Sequence, residues 1–513
     1  MNHASRRPQR QELNEQKVAR RRAALKLRQR QAAQGLEHRA TATISNGTSE
    51  WKTVEEERLA RQEAVEEQLK IYRSVLPVLL KRFGKIRDPR NPKTVKHKST
   101  VLMLYGILAF VFQMASRREA NREMTRPVFQ ENLRLMFPEL EKLPHQDTLN
   151  RLLSKIEVEE IEETLLELIE RFIRQKKFYR YLISNCYPVA IDGTQKLVRN
   201  DCWDEQCLER QVQHKEADET VTTRPQYYVY VLEASLAFAN GMTIPLMSEF
   251  LSYAEGDRET NKQDCELKAF KRLAERIKKR FPRLPVMVLL DGLYANGPVL
   301  ELCRRHRWQF MIVLQDESLP SVWEEVEGLK KLQVRNRLDR NWGNRKQHFW
   351  WVNDIEYRYG NNERKRQIVH VVICEENWEE VDPATAEIVV KRSKHAWLSS
   401  EPLSRENVHE RCNLGARHRW GIENNFLVEK RHGYQYEHCF SQNWNGMKGY
   451  HLLMRLGHMI NILARNTARL ARLVCRMGVR GLVRFLRETC SGPWLDAERI
   501  RLVLESPCQI RLE

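Results

Sequence analysis

Pro285-Val-Met-Val-Leu-Leu-Asp291-Gly292 is the stretch that decides the fold class, because its apolar run is unbroken until it reaches an acid and a glycine. A short apolar run bounded by turn residues is typical of a strand buried on both faces of a sheet. Residues 296–306 then have the pattern of a helix, and residues 308–314 have the pattern of another strand. This succession predicts an α/β fold.

A second predicted strand with the same Asp-Gly ending lies upstream. It is Tyr187-Pro-Val-Ala-Ile-Asp192-Gly193. We expect this strand to end at Asp192. Residues 226–237 and 242–251 are rich in β-forming residues and are joined at Asn240-Gly241, a strong hairpin signal. A charged helix at about 263–280 follows. The sheet is therefore predicted to be mixed, with Asp192 and Asp291 at the strand ends where active sites collect in α/β sheets.

A third candidate acid lies on a predicted helix, Arg419-Trp-Gly-Ile-Glu423-Asn-Asn-Phe-Leu-Val-Glu-Lys430. At 100° per residue, steps of four and seven residues place Arg419, Glu423 and Lys430 on one narrow face. A carboxylate between two cations suits a divalent metal ion with phosphates beside it. A solvated, salt-bridged helix is the alternative interpretation of this stretch taken alone.

Taken together, Asp192, Asp291 and Glu423 match the needs of phosphodiester chemistry with two metal ions. Such sites use carboxylate oxygens that bridge the ions and leave room for water and phosphate. An Asp-Gly pair at a strand end is also ordinary turn chemistry, so each pair alone is weak evidence. Two such pairs combined with the Arg/Glu/Lys face make the stronger prediction of a nucleic-acid-cutting site.

Composition favours a polyanionic partner. The 513 residues carry a formal charge of +19, with an isoelectric point near 9.5. Nucleic acid is the first candidate partner and an anionic membrane surface the second. The longest apolar run, residues 101–112, is too short to span a bilayer, and no apolar segment follows the basic start. Eleven scattered cysteines are typical of reduced cytosolic thiols.

The predicted organisation has six parts. Residues 1–47 form a basic arm, disordered or partly helical, and residues 48–178 form an all-helical DNA-binding region, either a plain bundle or a helix-turn-helix-like unit. The others are the first part of the core (179–318), a β-rich insertion (319–412), the part of the core with the catalytic helix (413–446) and a helical C-terminal region (447–513).

On these motifs the chain resembles the insertion-sequence DDE transposases of the cut-and-paste type, over roughly residues 85–465. The family's Tyr-x2-Arg-x3-Glu-x6-Lys signature corresponds to Arg419, Glu423 and Lys430, whereas its tyrosine position is occupied by Ala416. Asp192 in Ala-Ile-Asp-Gly-Thr matches the family's first acid, and Asp291 in Val-Leu-Leu-Asp-Gly matches the second. Lys262-Gln-Asp-Cys-Glu266 and Lys448-Gly-Tyr-His451 are similar to segments of one subgroup.

This resemblance implies an RNase H-like core with a β-rich insertion before the last acid. It also implies that Asp192, Asp291 and Glu423 bind Mg²⁺, which Mn²⁺ can replace, and that Arg419 and Lys430 bind DNA phosphates. The expected partners are double-stranded DNA, as terminal inverted repeats and target, and a second subunit in a homodimeric synaptic complex, with no membrane. The expected location is the bacterial cytoplasm, in association with the nucleoid. Two alternatives are a DNA-binding descendant that no longer cuts and a nuclease on the same core.

Several features have two interpretations. Cys202, Cys207 and His214 could bind zinc, although a fourth ligand is not evident and ordinary reduced cysteines are favoured. Asp264 and Glu266 could be further metal ligands, although acids that open a helix are favoured there for structural reasons.

Two further sets of residues are also open. The tryptophans of the insertion are expected in the core, or as a surface on which an unpaired base stacks; they are Trp342, Trp350, Trp351, Trp378 and Trp397. An arginine stripe in the C-terminal region is interpreted as a solvated face or, with some preference, as a phosphate contact; its members are Arg465, Arg469, Arg472, Arg476 and Arg480.

Overall fold

The computed structural model describes residues 6–37, 44, 46–215, 221–253 and 264–512, without the side chains of residues 6–10, 214 and 215. The chain forms two compact units. We call Met1–Thr43 together with Pro285–Arg417 the insertion unit, and Ile44–Leu284 together with His418–Glu513 the helical unit. The units thus divide at Pro285 and Arg417, whereas the predicted insertion runs from 319 to 412.

The helical unit begins with a bundle. Its six helices are α2 (Val54–Phe83), α3 (Ser99–Val111), α4 (Arg117–Glu123), α5 (Pro127–Met136), α6 (Gln146–Leu153) and α7 (Glu159–Arg174). Thr53 caps α2 by accepting a hydrogen bond from the Glu56 amide. In α3, every residue from Leu102 to Val111 is buried. A helix that is apolar on all sides belongs in a core, so α3 is a central helix of the bundle and its faces are not available to a DNA groove.

Four antiparallel strands continue this unit: β1 (Tyr187–Arg199), β2 (Leu208–Lys215), β3 (Val221–Ala237) and β4 (Thr243–Leu251). β3 is central, because β1 lies along one edge while β2 and β4 share the other. The predicted hairpin at Asn240-Gly241 is confirmed, with Gly241 at a φ of 85°. The expectation that β1 ends at Asp192 is wrong, since its pairing with β3 continues as far as Arg199.

The remaining helices of this unit are α8 (Glu266–Arg280), α11 (Trp420–Arg431), α12 (Trp444–Arg465), α13 (Ala468–Ser491) and α14 (Ala497–Glu505). α12 is buried along most of its length and packs against α3. The helical C-terminal region predicted from the sequence is therefore confirmed.

The insertion unit contains a mixed sheet. β5 (Val286–Leu290) and β6 (Gln309–Val313) are parallel and are joined through α9 (Gly297–His306). An antiparallel meander then extends the sheet from β6, in the spatial order β10 (Ile388–Ser399), β9 (Lys365–Val381), β8 (Arg345–Tyr359) and β7 (Arg337–Trp342). The α/β class with an RNase H-like core and a β-rich insertion is confirmed, and the strands of the insertion continue the β5–β6 sheet.

The basic arm as far as Thr43 belongs to the insertion unit. Its residues Arg6–Ala33 form α1. Leu27 and Gln31 of α1 are buried, and the amide of Glu37 donates a hydrogen bond to the carbonyl of Gly343. Residues 1–5, 38–43 and 45 of the arm lie outside the described residues. A search of the described helices finds none long and apolar enough to cross a membrane.

Glycine allows α12 and α3 to approach closely. A Cβ atom at Gly457 would lie 2.9 Å from the Phe110 Cβ and 3.2 Å from the backbone at Ile107 and Val111. We therefore expect Gly457→Ala to destabilise the protein by about 1–3 kcal/mol through overpacking, which outweighs the higher helix propensity of alanine. Differential scanning calorimetry measures the change. Gly328→Ala is the control, because a Cβ there meets nothing within 4 Å; an equal loss in both variants would contradict the packing argument.

Candidate active site

Asp192 lies within β1, where it is paired with Glu233 of β3. The β1 residues before it are buried, so the strand is fixed in the core and Asp192 is the first side chain to reach partial exposure. Its Oδ1 accepts a hydrogen bond from the amide of Gly193 at 2.9 Å. A rigid strand thus places this carboxylate, although it does so from the middle of the strand.

Arg419 joins Asp192 to Glu423. The guanidinium Nη1 lies 3.5 Å from Asp192 Oδ2, and Nη2 lies 2.7 Å from Glu423 Oε1. The arginine side chain is 8% exposed, whereas those of Asp192 and Glu423 are 16% and 32% exposed. The first and last of the three predicted acids are therefore held on either side of a single cation, at a place that solvent reaches.

Local packing fixes the helix that carries Glu423. A Cβ at Gly421 would lie 2.5 Å from Thr243 Oγ1, so only glycine allows α11 to come this close to β4. Asn425 Nδ2 donates to the carbonyl of Thr243 at 3.0 Å. These two contacts hold the start of α11 against β4. β4 pairs with β3, which also pairs with β1, the strand that carries Asp192.

Lys430 lies at the other end of α11. Its Nζ is 3.1 Å from Glu437 and 5.8 Å from the ring centre of Tyr436. Lys430 is thus paired with a carboxylate that follows the helix, while Arg419 is paired with the two candidate ligands. The role of Lys430 in phosphate binding stays a prediction.

A buried charge cluster underlies α11. Arg455 of α12 contacts Glu429 of α11 at 3.0 Å and Glu233 of β3 at 3.3 Å, and all three side chains are at most 1% exposed. His451 lies 3.0 Å from Glu233, and His458 lies 2.7 Å from Glu429. We call these five residues the anchoring cluster, because they join α11 to β3 and α12. Sequence reasoning missed it, since none of its contacts is local.

The protonation states in the cluster follow from its geometry. Each histidine has one ring nitrogen at a carboxylate, while the other, Nδ1 of His451 and Nε2 of His458, is buried without a hydrogen-bond partner among the described residues. A second proton there would bury an unpaired N–H, so the neutral rings are favoured. Burial lowers the pKa of His451 to about 4. Burial by itself raises the pKa of Glu233, but Arg455 and His451 outweigh it and bring that pKa to about 2.

Lys196 completes the charge balance. Burial lowers its pKa to about 8, so it remains mostly charged at neutral pH, and Glu233 and Glu429 favour the charged form. Its ammonium donates to the carbonyl of Tyr436 at 3.0 Å. Two carboxylates are thus balanced by Arg455 and Lys196, which makes the burial of four charges tolerable.

Asp291 lies in the insertion unit, directly after β5. It caps a 3-10 turn, Gly292–Tyr294, by accepting a hydrogen bond from the Leu293 amide at 3.0 Å. The strand-end position predicted for it is therefore observed. A Cβ at Gly292 would lie 2.7 Å from the Cδ of Gln315, so any larger residue after the acid would have to displace that side chain.

The chain that leads to Arg419 is anchored within the insertion unit. Arg417 contacts Glu376 of β9 at 2.5 Å and Asn413 Oδ1 at 2.9 Å, while Arg345 also contacts Glu376. Burial opposes ionisation of Glu376, but hydrogen bonds from His395 and Gln347, together with the two arginines, outweigh it, so the pKa of Glu376 lies well below its ordinary value. Only one residue separates Arg417 from Arg419. The π-helical turn Glu410–Gly415 precedes this ion pair within the insertion unit.

The other candidate ligands have structural partners. Asp264 is buried and pairs with Arg272 at 2.6 Å, which supports the structural interpretation. Glu266 accepts a hydrogen bond from the Tyr230 hydroxyl at 3.1 Å, and a Cβ at Gly193 would lie 2.8 Å from its Oε2. Lys262 and Gln263 of the quoted segment lie outside the described residues.

Cys202 is exposed and Cys207 is buried, and the side chain of His214 lies outside the described residues. Within the described part of the chain, no group of three or more His, Cys, Asp or Glu side chains is arranged to hold a metal ion. The zinc interpretation therefore gains no support from these contacts.

The carboxylates of Asp192 and Glu423 are nevertheless suitable for Mg²⁺. This ion prefers oxygen ligands and retains several waters, so it needs few carboxylates and a solvent-accessible place. The two acids are oxygen donors, are partly exposed and already accommodate one cationic group, the guanidinium of Arg419. The residues present thus fit a hard divalent cation in both chemistry and exposure.

The insertion tryptophans divide into two groups. Trp351 and Trp397 are buried and belong to the core. The other three are partly exposed, and each has a cationic group over its ring. The distance to the ring centre is 5.1 Å from Arg417 Cζ to Trp342, 3.8 Å from Lys330 Nζ to Trp350, and 4.1 Å from Arg345 Cζ to Trp378. The core interpretation therefore holds for two of the five.

Comparison with known proteins identifies the family. Residues 250–458 match the family model described as "Transposase DDE domain", and residues 80–169 match a second model, described as "DDE_Tnp_1-associated". The two matched ranges together cover more than half of the chain. The chain belongs to the insertion-sequence DDE transposases. No curated protein matches it.

The matched ranges bear differently on the three acids of this transposase. Asp291 and Glu423 fall within the DDE domain match, whereas Asp192 lies before its first residue, 250. The assignment of Asp192 therefore depends on its motif and on its contact with Arg419. Transposases of this family act on DNA and generally use divalent metal ions, so DNA is the substrate class of this chain.

The anchoring cluster should contribute strongly to stability. Replacing Arg455 by Met leaves Glu233 and Glu429 without their shared cation, and we expect a loss of about 3–5 kcal/mol in the free energy of unfolding. Thermal unfolding followed by circular dichroism measures it. Arg484→Met is the matched control, because Arg484 is 79% exposed and pairs only with Glu488 of the same helix in the described structure; its effect should stay within about 0.5 kcal/mol.

Stability should also decrease in mild acid. The unfolded chain binds a proton at the ordinary histidine pKa of 6.5, whereas folded His451 does so only near pH 4. Stability is therefore lost as the pH falls from about 6.5 to 4, by about 1–3 kcal/mol for this group. Melting temperatures at several pH values test this. His451→Gln should show a flatter dependence over that interval, and an unchanged slope would contradict the assignment.

Proposed function

We propose that this transposase cleaves DNA at the ends of its element and transfers the freed 3′ ends to target DNA. The observation that carries the proposal is the bridge from Arg419 to both Asp192 and Glu423. It brings two acids, far apart in sequence, to one cation at a partly exposed place. A salt-bridged surface helix would not require a second acid from a buried strand.

In the proposed reaction, water attacks the phosphorus at the element boundary, and the bond to the 3′ oxygen breaks to leave a 3′-hydroxyl and a 5′-phosphate. The 3′-hydroxyl then attacks a phosphodiester of the target, so that one P–O bond forms as another breaks. Mg²⁺ held by Asp192, Asp291 and Glu423 would supply Lewis-acid activation of the nucleophile and stabilise the leaving oxygen.

Arg419 and Lys430 have positioning roles in this proposal. The guanidinium of Arg419 has five N–H donors, and its ion pairs with the two acids use Nη1 and Nη2, so in this proposal its remaining donors bind a phosphate while it stays close to the acids. Lys430 can exchange its contact with Glu437 for a phosphate, since Glu437 is exposed and an ion pair with a solvated partner contributes little stability. Both cations would offset the charge that develops on phosphorus oxygens.

The homodimeric synaptic complex belongs to the same proposal. Cut-and-paste transfer joins two element ends, and a complex of two subunits would supply one set of acids for each. Ala416, at the position of the family's tyrosine, is buried in the turn before Arg419. It removes one polar group from the signature and leaves the three acids in place.

Removing the negative charge of Glu423 should abolish cleavage. We expect purified Glu423→Gln to nick a labelled duplex with the flanking inverted repeat at least about 100-fold more slowly than wild type in Mg²⁺, because an amide is a poor metal ligand. Asp192→Asn and Asp291→Asn should behave alike, while duplex binding in EDTA should persist. Glu498→Gln, at an 87% exposed side chain, is the control.

The same assay separates the alternatives. Strand-transfer products from paired ends distinguish a transposase from a nuclease on the same core. Binding without cleavage in either Mg²⁺ or Mn²⁺ would contradict the proposal and favour the DNA-binding descendant. Cleavage by Glu423→Gln at the wild-type rate would show that the acid is misassigned.

A further inference from the structure

The outer face of α13 carries an excess of positive charge. Arg469, Arg472 and Arg476 are all exposed, and their spacing of three and four residues places them within about 60° of one another around the helix. We call these three residues the arginine face. Between Ala468 and Ser491, the only acidic residue is Glu488 near the end of the helix. No acid of α13 itself can therefore neutralise the arginine face.

The stripe predicted from the sequence is shorter than expected. Arg465 is the last residue of α12, and Asn466 and Thr467 separate it from α13. Beyond the arginine face, Gly478 interrupts the helix with a φ of 76° and a ψ of 167°. Because the helix is interrupted before Ala468 and again at Gly478, only Arg469, Arg472 and Arg476 of the predicted stripe stay aligned.

Two acids from elsewhere in the helical unit contact this face. Glu63 of α2 lies 3.4 Å from Arg469, and Glu50, in the segment before α2, forms an ion pair with Arg476. Arg472, between them, has no ion-pair partner among the described residues. All of these side chains line one open cleft of about 500 Å³.

The segment with Glu50 is held in place by an aromatic contact. The ring of Trp51 stacks on that of Phe485 of α13 at 5.3 Å, which keeps Glu50 close to Arg476. The ion pair itself is exposed, with 61% of the arginine and 41% of the glutamate side chain accessible. Exposed pairs of this kind contribute little stability and exchange readily for a stronger anion.

We propose that the arginine face of α13 binds the phosphate backbone of DNA, and that Glu50 and Glu63 occupy its arginines until DNA displaces them. The proposal rests on the function proposed above, in that it adds a contact for the same substrate outside the catalytic residues. The acids act as competitors of the phosphates, so they lower the affinity for DNA that the arginines provide.

Charge spacing supports DNA as the occupant. Arg469 and Arg476 are seven residues apart, which is about 10 Å along a helix. One strand of duplex DNA carries a phosphate per about 3.4 Å of axis, so three arginines over this length match the density of phosphates. An anionic membrane would require an apolar face next to the cations, but Leu470, Leu482 and Leu486 of α13 are buried in the unit.

The test uses full-length protein and a labelled 30-base-pair duplex of random sequence, in EDTA so that cleavage does not occur. Fluorescence anisotropy gives the dissociation constant over a range of NaCl concentrations. We expect Arg472→Ala combined with Arg476→Ala to weaken binding at least about tenfold at low salt. The slope of log affinity against log salt should decrease by about two, because each lost phosphate contact removes about 0.9.

The opposite change provides the sharper test. Glu50→Gln combined with Glu63→Gln should tighten binding roughly two- to fivefold, which corresponds to about 0.4–1 kcal/mol for the release of the two exposed ion pairs together. A purely structural role for these acids predicts no tightening. Arg472→Lys with Arg476→Lys should retain the wild-type salt slope, since the charges remain.

Matched controls lie elsewhere in the helical unit. Arg174→Ala removes an arginine of α7 that is 77% exposed and paired with Glu170, and Glu498→Gln removes an exposed acid of α14. Neither should change DNA affinity. The Mg²⁺ cleavage assay tests the three acids, whereas the binding assay in EDTA tests the arginine face, so failure of the catalytic proposal is distinguishable from failure here.

Three results would overturn the proposal. The first is an unchanged affinity and salt slope in the double alanine variant. The second is weaker or unchanged binding after removal of Glu50 and Glu63. The third is a loss of binding to phosphatidylserine vesicles, with duplex binding intact, in the double alanine variant, which would identify a membrane as the occupant.

Discussion

The ion pairs of Arg455 with Glu233 and Glu429 are the interaction on which the rest of the helical unit depends. Arg455 is on α12, Glu233 is on β3 and Glu429 is on α11, and all three are at most 1% exposed. A buried charge without its partner is far more costly than a lost apolar contact. The three elements therefore have one favourable arrangement, in which α11 lies against the strand pair that carries Asp192.

This constraint explains how a partly exposed site can be rigid. Glu423 is near the start of α11 and is partly exposed beside the mostly buried Arg419, whereas Glu429 lies nearly two turns further along and is buried in the cluster. The position of the accessible residues is thus determined by contacts that the substrate never meets. Gly421 against Thr243 supplies the second fixed point of the same helix.

The sequence predicted the local features well and the long-range ones poorly. The apolar run before Asp291, the hairpin at Asn240-Gly241 and the step of four from Arg419 to Glu423 are all local, and each has the predicted form. Asp192 shows where local reasoning fails. Its Asp-Gly pair indicated the end of a strand, but the pairing of β1 with β3 extends to Arg199, because cross-strand hydrogen bonds override a local turn signal.

The arginines of α13 show the same limitation. Their spacing indicated one continuous acid-free stripe, but the helix is interrupted at Asn466 and again at Gly478. The carboxylates of Glu50 and Glu63 contact the arginine face that remains. Sequence distance gave no sign of these partners, since Glu50 and Arg476 are 426 residues apart.

The sequence by itself determined the fold class, the basic character of the chain and the three candidate acids, because periodicity, composition and motif spacing are properties of neighbouring residues. Only the tertiary structure decided which groups face one another. It placed Arg419 between Asp192 and Glu423, it joined Glu233 to Glu429 through Arg455, and it brought Glu50 to Arg476. These contacts depend on how helices and strands pack. A charged side chain is stabilised by the opposite charge that the packing brings close to it, wherever that charge lies in the sequence.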